Sequence, residues 1–255
     1  MVKYQAQVVT NPRIPKASNA IRLLCFSDTH RRHEQIPSDS IFPADIALCA
    51  GDFSKGGRMD GIKKFYNWFK SLPVSHRIMC AGNHDWTLDL DFFPSFQYNL
   101  LLHGIISQDT QIESFKDIFT SDKSVHLLNN SPCEVMGVKF FGSSNIVTSR
   151  KLPFAYKREF DDNLVIQIKQ DVDVVLSHSP PFNILDKDKN DRHKGRKSLL
   201  NFINDKNPAL HVFGHVHDSH GIEKTKNGTL FANVAICNSS NEVTFGLTYI
   251  DLIPI

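Results

Sequence analysis

The chain has 255 residues, of which 41% are hydrophobic and 22% charged, and this composition is that of a globular protein with a sizeable core. A formal net charge of +2 argues against a protein that coats nucleic acid, so stable nucleic-acid binding is not expected. No apolar run reaches the roughly 18 residues of a membrane span, and residues 1–20 lack the apolar segment of a signal peptide, so no membrane segment is expected.

The cysteines predict a reducing compartment. They are odd in number, no two form a CxxC pair, and three of them lie in apolar runs, where a free thiol behaves as a small hydrophobe. We therefore expect a cytoplasmic protein with neither disulfides nor a thiolate zinc site. The five residues are Cys25, Cys49, Cys80, Cys133 and Cys237.

The first third of the chain alternates strands with one helix. Apolar side chains recur on one helical face over residues 59–70, which predicts an amphipathic helix. Short continuous apolar runs before and after it are typical of buried strands. These strands are predicted over residues 21–26, 45–50 and 77–81.

The rest of the chain is richer in strands. Residues 85–130 are irregular apart from a helix predicted over 112–119, and a tight hairpin turn is predicted at Met136-Gly137. Residues 186–197 are almost wholly polar, which predicts a solvated loop, with a mobile lid as the alternative. Further predicted elements are helices over 159–168 and 198–204, strands over 173–177, 210–213, 230–235 and 243–252, and a hairpin signal at Asn227-Gly228. The pattern favours one α/β domain over residues 1–255.

Five predicted strands end directly in side chains that can ligate a metal ion. Ligands bind at strand ends in open α/β sheets, so we expect these side chains to meet at one rim. Two carboxylates, one amide and five imidazoles exceed the needs of one ion and suit two ions that share a carboxylate. Such mixed ligation is typical of manganese, iron or zinc. The residues are Asp28, His30, Asp52, Asn83, His84, His178, His215 and His217.

These motifs resemble those of the calcineurin-like metallophosphoesterases. The resemblance spans about residues 21–217, and looser similarity over 137–143 and 231–238 points to the small metallophosphoesterase-domain-containing subgroup. Some members of that subgroup hydrolyse cyclic nucleotides. The matching stretches are Asp28-Thr29-His30, Gly51-Asp52, Gly82-Asn83-His84-Asp85, His178 and Gly214-His215-Val216-His217.

The resemblance implies a four-layer αββα sandwich of two mixed sheets, with a dinuclear metal site at the strand-end rim. It gives Asp28, His30, Asp52 and His217 to one ion. It gives Asp52, Asn83, His178 and His215 to the other, so that Asp52 is the bridge. His84 would face the leaving group with Asp85 as the partner of its ring, and the substrate would contact Asn83, His84 and His215.

The hypothesis that follows is a phosphoesterase that uses two divalent ions, manganese first, with iron or zinc as alternatives. A hydroxide between the ions attacks phosphorus, His84 protonates the departing alkoxide, Asp85 holds the ring and Asn83 orients the phosphate. The expected substrate is a small phosphodiester or nucleotide, cyclic nucleotides included. The alternatives are a phosphomonoesterase or protein phosphatase, and a non-catalytic scaffold that binds protein partners.

Histidines outside this set are interpreted as ordinary surface or core side chains. Two of them, His33 and His220, lie three residues beyond a motif histidine and are the best placed of these to touch substrate. Trp86 is interpreted as a packed side chain, with stacking on a base as the alternative. The full set of these histidines is His33, His76, His103, His126, His193, His211 and His220.

Overall fold

A six-stranded mixed sheet is built from both ends of the chain in the computed structural model, which describes residues 4–107, 110, 113–163, 166 and 168–255. Its strands, numbered in chain order, are β1 (Tyr4–Val8), β2 (Ile21–Phe26), β3 (Ile46–Ala50), β4 (His76–Cys80), β5 (Val125–Leu128) and β14 (Thr248–Pro254). Their spatial order is β1-β14-β2-β3-β4-β5. Strands β2 to β5 are parallel, whereas β14 is antiparallel to β2 and to β1.

A second six-stranded mixed sheet comes from the later half of the chain. It contains β6 (Ser131–Val135), β7 (Val138–Ser143), β10 (Val174–Ser177), β11 (Leu210–Phe213), β12 (Gly221–Lys224) and β13 (Leu230–Asn233). The spatial order is β12-β13-β11-β10-β7-β6, with four parallel strands between two antiparallel edges. Two short parallel strands, β8 (Ile146–Val147) and β9 (Ala155–Tyr156), pair beside it.

The helices lie on the outer faces of the two sheets. They are α1 (Met59–Ser71), α2 (Phe93–Leu102), α3 (Glu113–Thr120), α4 (Arg158–Asn163) and α5 (Lys197–Lys206). Phe65 of α1 and Phe119 of α3 are buried with Phe26 of β2, whereas Phe202 of α5 is buried with Phe141 of β7. None of the helices in the described part of the chain combines the length and the apolarity that a membrane span requires.

The two sheets pack face to face through a third apolar cluster. In β2, Leu23 and Cys25 belong to this inner cluster, whereas Leu24 and Phe26 belong to the cluster under the helices. Strands buried on both faces need apolar side chains at every position, which explains the continuous apolar runs of the sequence. The predicted αββα sandwich of two mixed sheets is therefore confirmed.

The sequence predictions were less accurate at the edges of the fold. Within the stretch predicted to be irregular the structure has α2 and β5, and the last strand begins at Thr248 rather than at 243. The helix predicted over 159–168 ends at Asn163, and its residues 164, 165 and 167 lie outside the described part of the chain. Edge strands and short helices depend on tertiary partners, which local periodicity does not reveal.

The loop predicted to be solvated over 186–197 is buried at both of its ends. Asp186 and Arg196 have exposed fractions of 1% and 0%. The Asp186 carboxylate accepts hydrogen bonds from loop groups, and Arg196 forms an ion pair with Asp161, so both charges are paired inside the protein. The prediction of a solvated loop is therefore correct only for its middle. It fails at the ends because charged side chains can be buried when they are paired, and composition does not reveal the pairing.

Candidate metal centre

The predicted ligand residues come together at the carboxyl ends of β2, β3, β4, β10 and β11. Their ligand atoms form three overlapping groups, and the atoms within each group lie within 4.8 Å of one another. Asp52 belongs to two of these groups and therefore connects them. The groups are Asp28 with His30 and His217, His30 with Asp52 and His84, and Asp52 with His178 and His215.

Several ligand residues have a left-handed backbone. The φ angles are 54° at Asp28, 43° at His30, 53° at Asp52 and 67° at His215. Asp and His enter this region more readily than most residues, but each such position still costs of order 1–3 kcal/mol. Strain of this kind persists where surrounding structure holds it, and it clusters at functional sites.

Two glycines allow the loops to approach the carboxylates. A Cβ atom at Gly82 would lie 2.2 Å from Asp52 Oδ1, and one at Gly214 would lie 2.1 Å from Asp28 Oδ2. Both distances are far below van der Waals contact. Any side chain at either position would collide with a carboxylate, so both motifs require glycine before the ligand residue.

Each carboxylate uses one oxygen to hold the loops and presents the other to the histidines. Asp28 Oδ2 accepts hydrogen bonds from Ser27 Oγ at 2.6 Å and from the His215 backbone N–H at 2.9 Å. Asp52 Oδ1 accepts a hydrogen bond from the His84 backbone N–H at 2.7 Å. Asp52 Oδ2 lies 3.4 Å from His178 Nε2 and 4.0 Å from His84 Nε2, so this oxygen faces the imidazoles of the cluster.

The His178 ring is oriented as a metal ligand. Its Nδ1 lies 2.8 Å from the Ala50 carbonyl oxygen, which can only accept, so in the neutral ring Nδ1 carries the proton and Nε2 has the lone pair. Nε2 faces the oxygens of Asn83, at 3.2 Å, and Asp52. Burial alone would lower the pKa of His178, but the Asp52 carboxylate overcomes it and raises the pKa to about 9. Oxygen acceptors surround His178 Nε2, and the Asp52 carboxylate stabilises a positive charge there. Both properties fit a metal ion.

The same arrangement recurs at His217 on the other side of the cluster. Its Nδ1 lies 2.8 Å from the Asn238 carbonyl oxygen, and its Nε2 lies 3.2 Å from both Asp28 Oδ1 and His30 Nε2. Burial would lower the pKa of His217, but the hydrogen bond to Asp28 raises it to about 9. Two separate positions in the cluster therefore stabilise a positive charge, which fits a dinuclear centre.

The remaining ligands are in the protonation states that metals need. Burial lowers the pKa of His30 to about 4 and that of His215 to about 3, so both rings are neutral at pH 7. Burial would raise the pKa of Asp52, but the nearby His178 holds it well below its usual value. Neutral imidazole and ionised carboxylate are the binding forms.

His84 lies where the cluster opens into a cleft. Its backbone is fixed, because its carbonyl accepts hydrogen bonds from Gly56 N–H at 2.9 Å and Ser54 Oγ at 3.0 Å. Its side chain is 42% exposed and packs edge-on to the His30 ring, with centroids 4.9 Å apart. A group in this position can reach both a substrate in the cleft and the buried ligands.

Asp85 does not hold the His84 ring, contrary to the interpretation from sequence. Its carboxylate is buried, and it accepts hydrogen bonds from the backbone N–H groups of Asp52, Ser54 and Gly82, each at 2.9 Å. Burial, with the Asp52 charge as a second cause, raises the pKa of Asp85 to about 6. Asp85 thus ties the loop after β3 to the loop after β4, and the turn points its side chain away from its neighbour.

A cleft of about 1100 Å³ extends from the cluster. Trp86 lines it and packs edge-on to Phe96, with centroids 5.4 Å apart, so it is both packed and accessible to a ligand. His33 and His220 pack elsewhere, His33 against Trp68 and His220 against Phe245. Sequence reasoning missed His193 and Arg158, which also line the cleft, because nothing in their spacing connects them to the ligand motifs.

Comparison with known proteins gives consistent matches. A family model described as Calcineurin-like phosphoesterase matches residues 21–219. A UPF0046 protein of Caenorhabditis elegans is 30% identical over 229 residues, which are 88% of this chain and 72% of that protein. Metallophosphoesterase domain-containing protein 1 of Homo sapiens is 28% identical over 232 residues, 88% of this chain and 68% of that protein. A crystal structure that is 16% identical covers 84% of this chain and 90% of its own with a TM-score of 0.58, a likeness of fold alone.

Proposed function

Because the chain belongs to the calcineurin-like phosphoesterase family, we propose that it hydrolyses small phosphodiesters at a pair of divalent metal ions. The membership confirms the resemblance that the motifs of the sequence predicted. One observation carries the proposal: Asp52 lies in a group with His178 and His215, and His30 links Asp52 to a second group that contains Asp28 and His217. The Nε2 atoms of His178 and His217 face side-chain oxygens or another ring nitrogen in these groups. That geometry suits two cations on either side of one carboxylate.

The ligand sets we propose are those predicted from the sequence. Asp28, His30, Asp52 and His217 hold one ion, and Asp52, Asn83, His178 and His215 hold the other. The nitrogen and oxygen donors favour manganese, with iron or zinc as alternatives. Divalent ions at such a pair of sites neutralise charge on phosphoryl oxygens and lower the pKa of a water molecule toward neutrality.

His84 is proposed as the general acid. It is the most exposed histidine of the ligand groups, it lines the cleft, and its backbone is fixed by Asp52 and by the Asp85-centred loops. Its Nε2 would donate a proton to the departing alkoxide oxygen, an effect typically worth about 10²–10⁴-fold in rate. Asn83 and His215, which also line the cleft, would contact the phosphate.

The cleft is large enough for a diester, whose second substituent a monoester lacks. A volume of about 1100 Å³ leaves room for both substituents of the phosphorus, and Trp86 offers an aromatic face for one of them. A cyclic nucleotide fits this description, with its base as the aromatic partner. If the protein is a phosphomonoesterase, it should hydrolyse monoesters faster than diesters. If it is a non-catalytic scaffold, it should show no turnover with two ions bound.

The test is a substrate panel combined with two variants. Purified protein is assayed on cyclic nucleotides, bis(4-nitrophenyl) phosphate and phosphomonoesters, with Mn²⁺ and with chelator. His84→Ala should lower turnover while about two ions per chain remain bound, whereas Asp52→Asn should lose both metal and activity. His103→Ala, which removes an exposed histidine outside the site, is the control. Full turnover by His84→Ala on a diester with a poor leaving group would exclude the general-acid role.

Two further proposals concern the chain as a whole. The five cysteines are free, and four of them are buried, which supports the proposal that the protein works in the reducing cytoplasm. We also propose that residues 1–255 act as one domain, because strands from both ends of the chain pair in the first sheet. Limited proteolysis that released a stable fragment would contradict the second proposal.

A further inference from the structure

One wall of the cleft is a loop closed around a buried carboxylate. This loop joins β10 to α5, and Asp186 within it is 1% exposed. Asp186 Oδ2 accepts hydrogen bonds from the backbone N–H groups of Asn183 at 3.1 Å and Gly195 at 3.0 Å. A Cβ atom at Gly195 would lie 2.3 Å from the Pro181 carbonyl oxygen, so the closure requires glycine. These contacts hold the loop in one conformation.

The second oxygen of this carboxylate orients a histidine into the cleft. His193 Nδ1 lies 2.7 Å from Asp186 Oδ1, so Nδ1–H donates and Nε2 is left for another partner. The His193 side chain is 35% exposed and lines the cleft, with its ring centroid 5.2 Å from that of Phe182. A carboxylate that fixes the tautomer and position of an imidazole is the arrangement found where the other nitrogen binds a ligand.

An arginine held by two backbone carbonyl oxygens lies beside this histidine. Arg158 donates hydrogen bonds to the carbonyl oxygens of Gly195 at 2.6 Å and His193 at 3.4 Å, and its guanidinium lies 5.9 Å from the Phe182 ring centroid. Among the residues that the structure describes, its guanidinium forms no ion pair, and these two hydrogen bonds use two of its five N–H donors.

Three other cations that line the cleft have carboxylate partners. Arg192 and Lys194 both contact the Asp188 carboxylate, at 2.8 Å and 3.2 Å, and Lys157 lies 3.9 Å from Glu159. Each of these residues lines the cleft as well. Arg158 differs from these cations because two backbone carbonyl oxygens hold its guanidinium in place beside His193.

We propose that Arg158 and His193 form a subsite for a second anionic group of the substrate, a phosphate or a carboxylate remote from the scissile phosphorus. Asp186 is the positioning residue of this subsite. The proposal rests on the proposed function, because the first anionic group is the one that the metal centre takes. Among small phosphodiesters it favours those that carry a further negative charge over singly charged ones such as simple cyclic nucleotides, and a cleft of about 1100 Å³ has room for such a molecule.

The test uses α,ω-alkane bisphosphonates of increasing chain length, each matched to a monophosphonate of the same length. Binding to Mn²⁺-loaded protein is measured by calorimetry, so that the subsite is scored even if hydrolysis fails. At one chain length the bisphosphonate should bind at least about tenfold more tightly than its match, as expected for one charge-assisted hydrogen bond. Matched ω-carboxyalkyl phosphonates show whether the subsite prefers a phosphate or a carboxylate.

Variants then assign the effect to residues. Arg158→Met and His193→Ala should each bring the affinity ratio to within about threefold of one, while turnover of singly charged bis(4-nitrophenyl) phosphate stays within about twofold of wild type. His193→Gln, which keeps a donor near the position of Nε2, should retain part of the ratio. Asp186→Asn should lower the ratio without changing that turnover, and thermal melting confirms that each variant is folded.

Lys157→Met is the matched control, because it removes a neighbouring cation of the same cleft that already has an ion-pair partner. It should leave the ratio unchanged. A ratio near one at every chain length in wild-type protein would overturn the subsite, and so would an equal loss in Lys157→Met and Arg158→Met. Failure of the proposed function is a separate result: no hydrolysis of bis(4-nitrophenyl) phosphate by wild-type protein with two ions bound.

Discussion

Replacing Arg196 by methionine is expected to destabilise the fold far more than replacing Arg192, although both arginines form ion pairs of the same length. The Arg196 Nε–Asp161 Oδ1 distance and the Arg192 Nη2–Asp188 Oδ2 distance are both 2.8 Å. The first pair is fully buried, whereas the Arg192 side chain is 64% exposed. Comparing the two variants therefore isolates the effect of burial.

The magnitude follows from what each substitution leaves behind. Removing one partner of a buried pair costs about 3–5 kcal/mol, because the other charge stays buried. Asp161 would keep its hydrogen bonds from Ser198 Oγ at 2.6 Å and Lys197 N–H at 2.9 Å, which favours the lower end, about 3 kcal/mol. For a chain of this size the melting temperature should fall by roughly 6–12 °C. Arg192→Met should cost about 0–1 kcal/mol, as exposed pairs do.

Urea unfolding of metal-loaded protein measures both changes. Asp161→Asn and the double variant Arg196→Met/Asp161→Asn complete a double-mutant cycle, in which we expect a coupling energy above about 1 kcal/mol. If Arg196→Met and Arg192→Met destabilised the protein equally, the burial argument would be refuted. A coupling energy near zero would likewise show that the two side chains do not stabilise each other.

Two further predictions concern the steric room beside the ligand carboxylates and the pH dependence of stability. Gly82→Ala and Gly214→Ala should each reduce metal content measured by mass spectrometry, because the new Cβ would displace a ligand carboxylate, whereas Gly246→Ala has open space and should keep it. Burial lowers the pKa of His33 to about 4, so between pH 4 and about 6.5 only the unfolded chain takes up this proton, and stability falls as the pH is lowered. His33→Phe should therefore reduce the pH dependence of the unfolding free energy by up to about 1.4 kcal/mol per pH unit in this window, and an unchanged slope would contradict the assignment.

The central strands could be predicted from the sequence because both of their faces are buried. Residues 21–26 are apolar at every position except Arg22, and the structure has β2 over that same range. By contrast, β1 reads YQAQV and β12 reads GIEK, and both are edge strands that form only because β14 and β13 lie beside them. In α2 the apolar side chains have no helical period, so the pattern gave no signal.

The sequence predicts those site residues that directly follow a strand, because the end of the strand fixes their position. Contacts that depend on the conformation of a loop could not be predicted from the sequence. Asp85 is adjacent to His84 in the chain, yet it accepts hydrogen bonds from backbone amides instead. His33 follows His30 by three residues, but a short helical turn carries its ring toward α1. The pairing of Asp186 with His193 spans a polar loop in which every residue looked equally exposed.

Anomalous scattering from crystals grown with Mn²⁺ would locate the bound ions independently of any assumed ligands. We expect two manganese peaks on either side of the Asp52 carboxylate, one near Asp28 and His217 and the other near His178 and His215. No peak in this cluster, or a single peak that does not contact Asp52, would contradict this expectation.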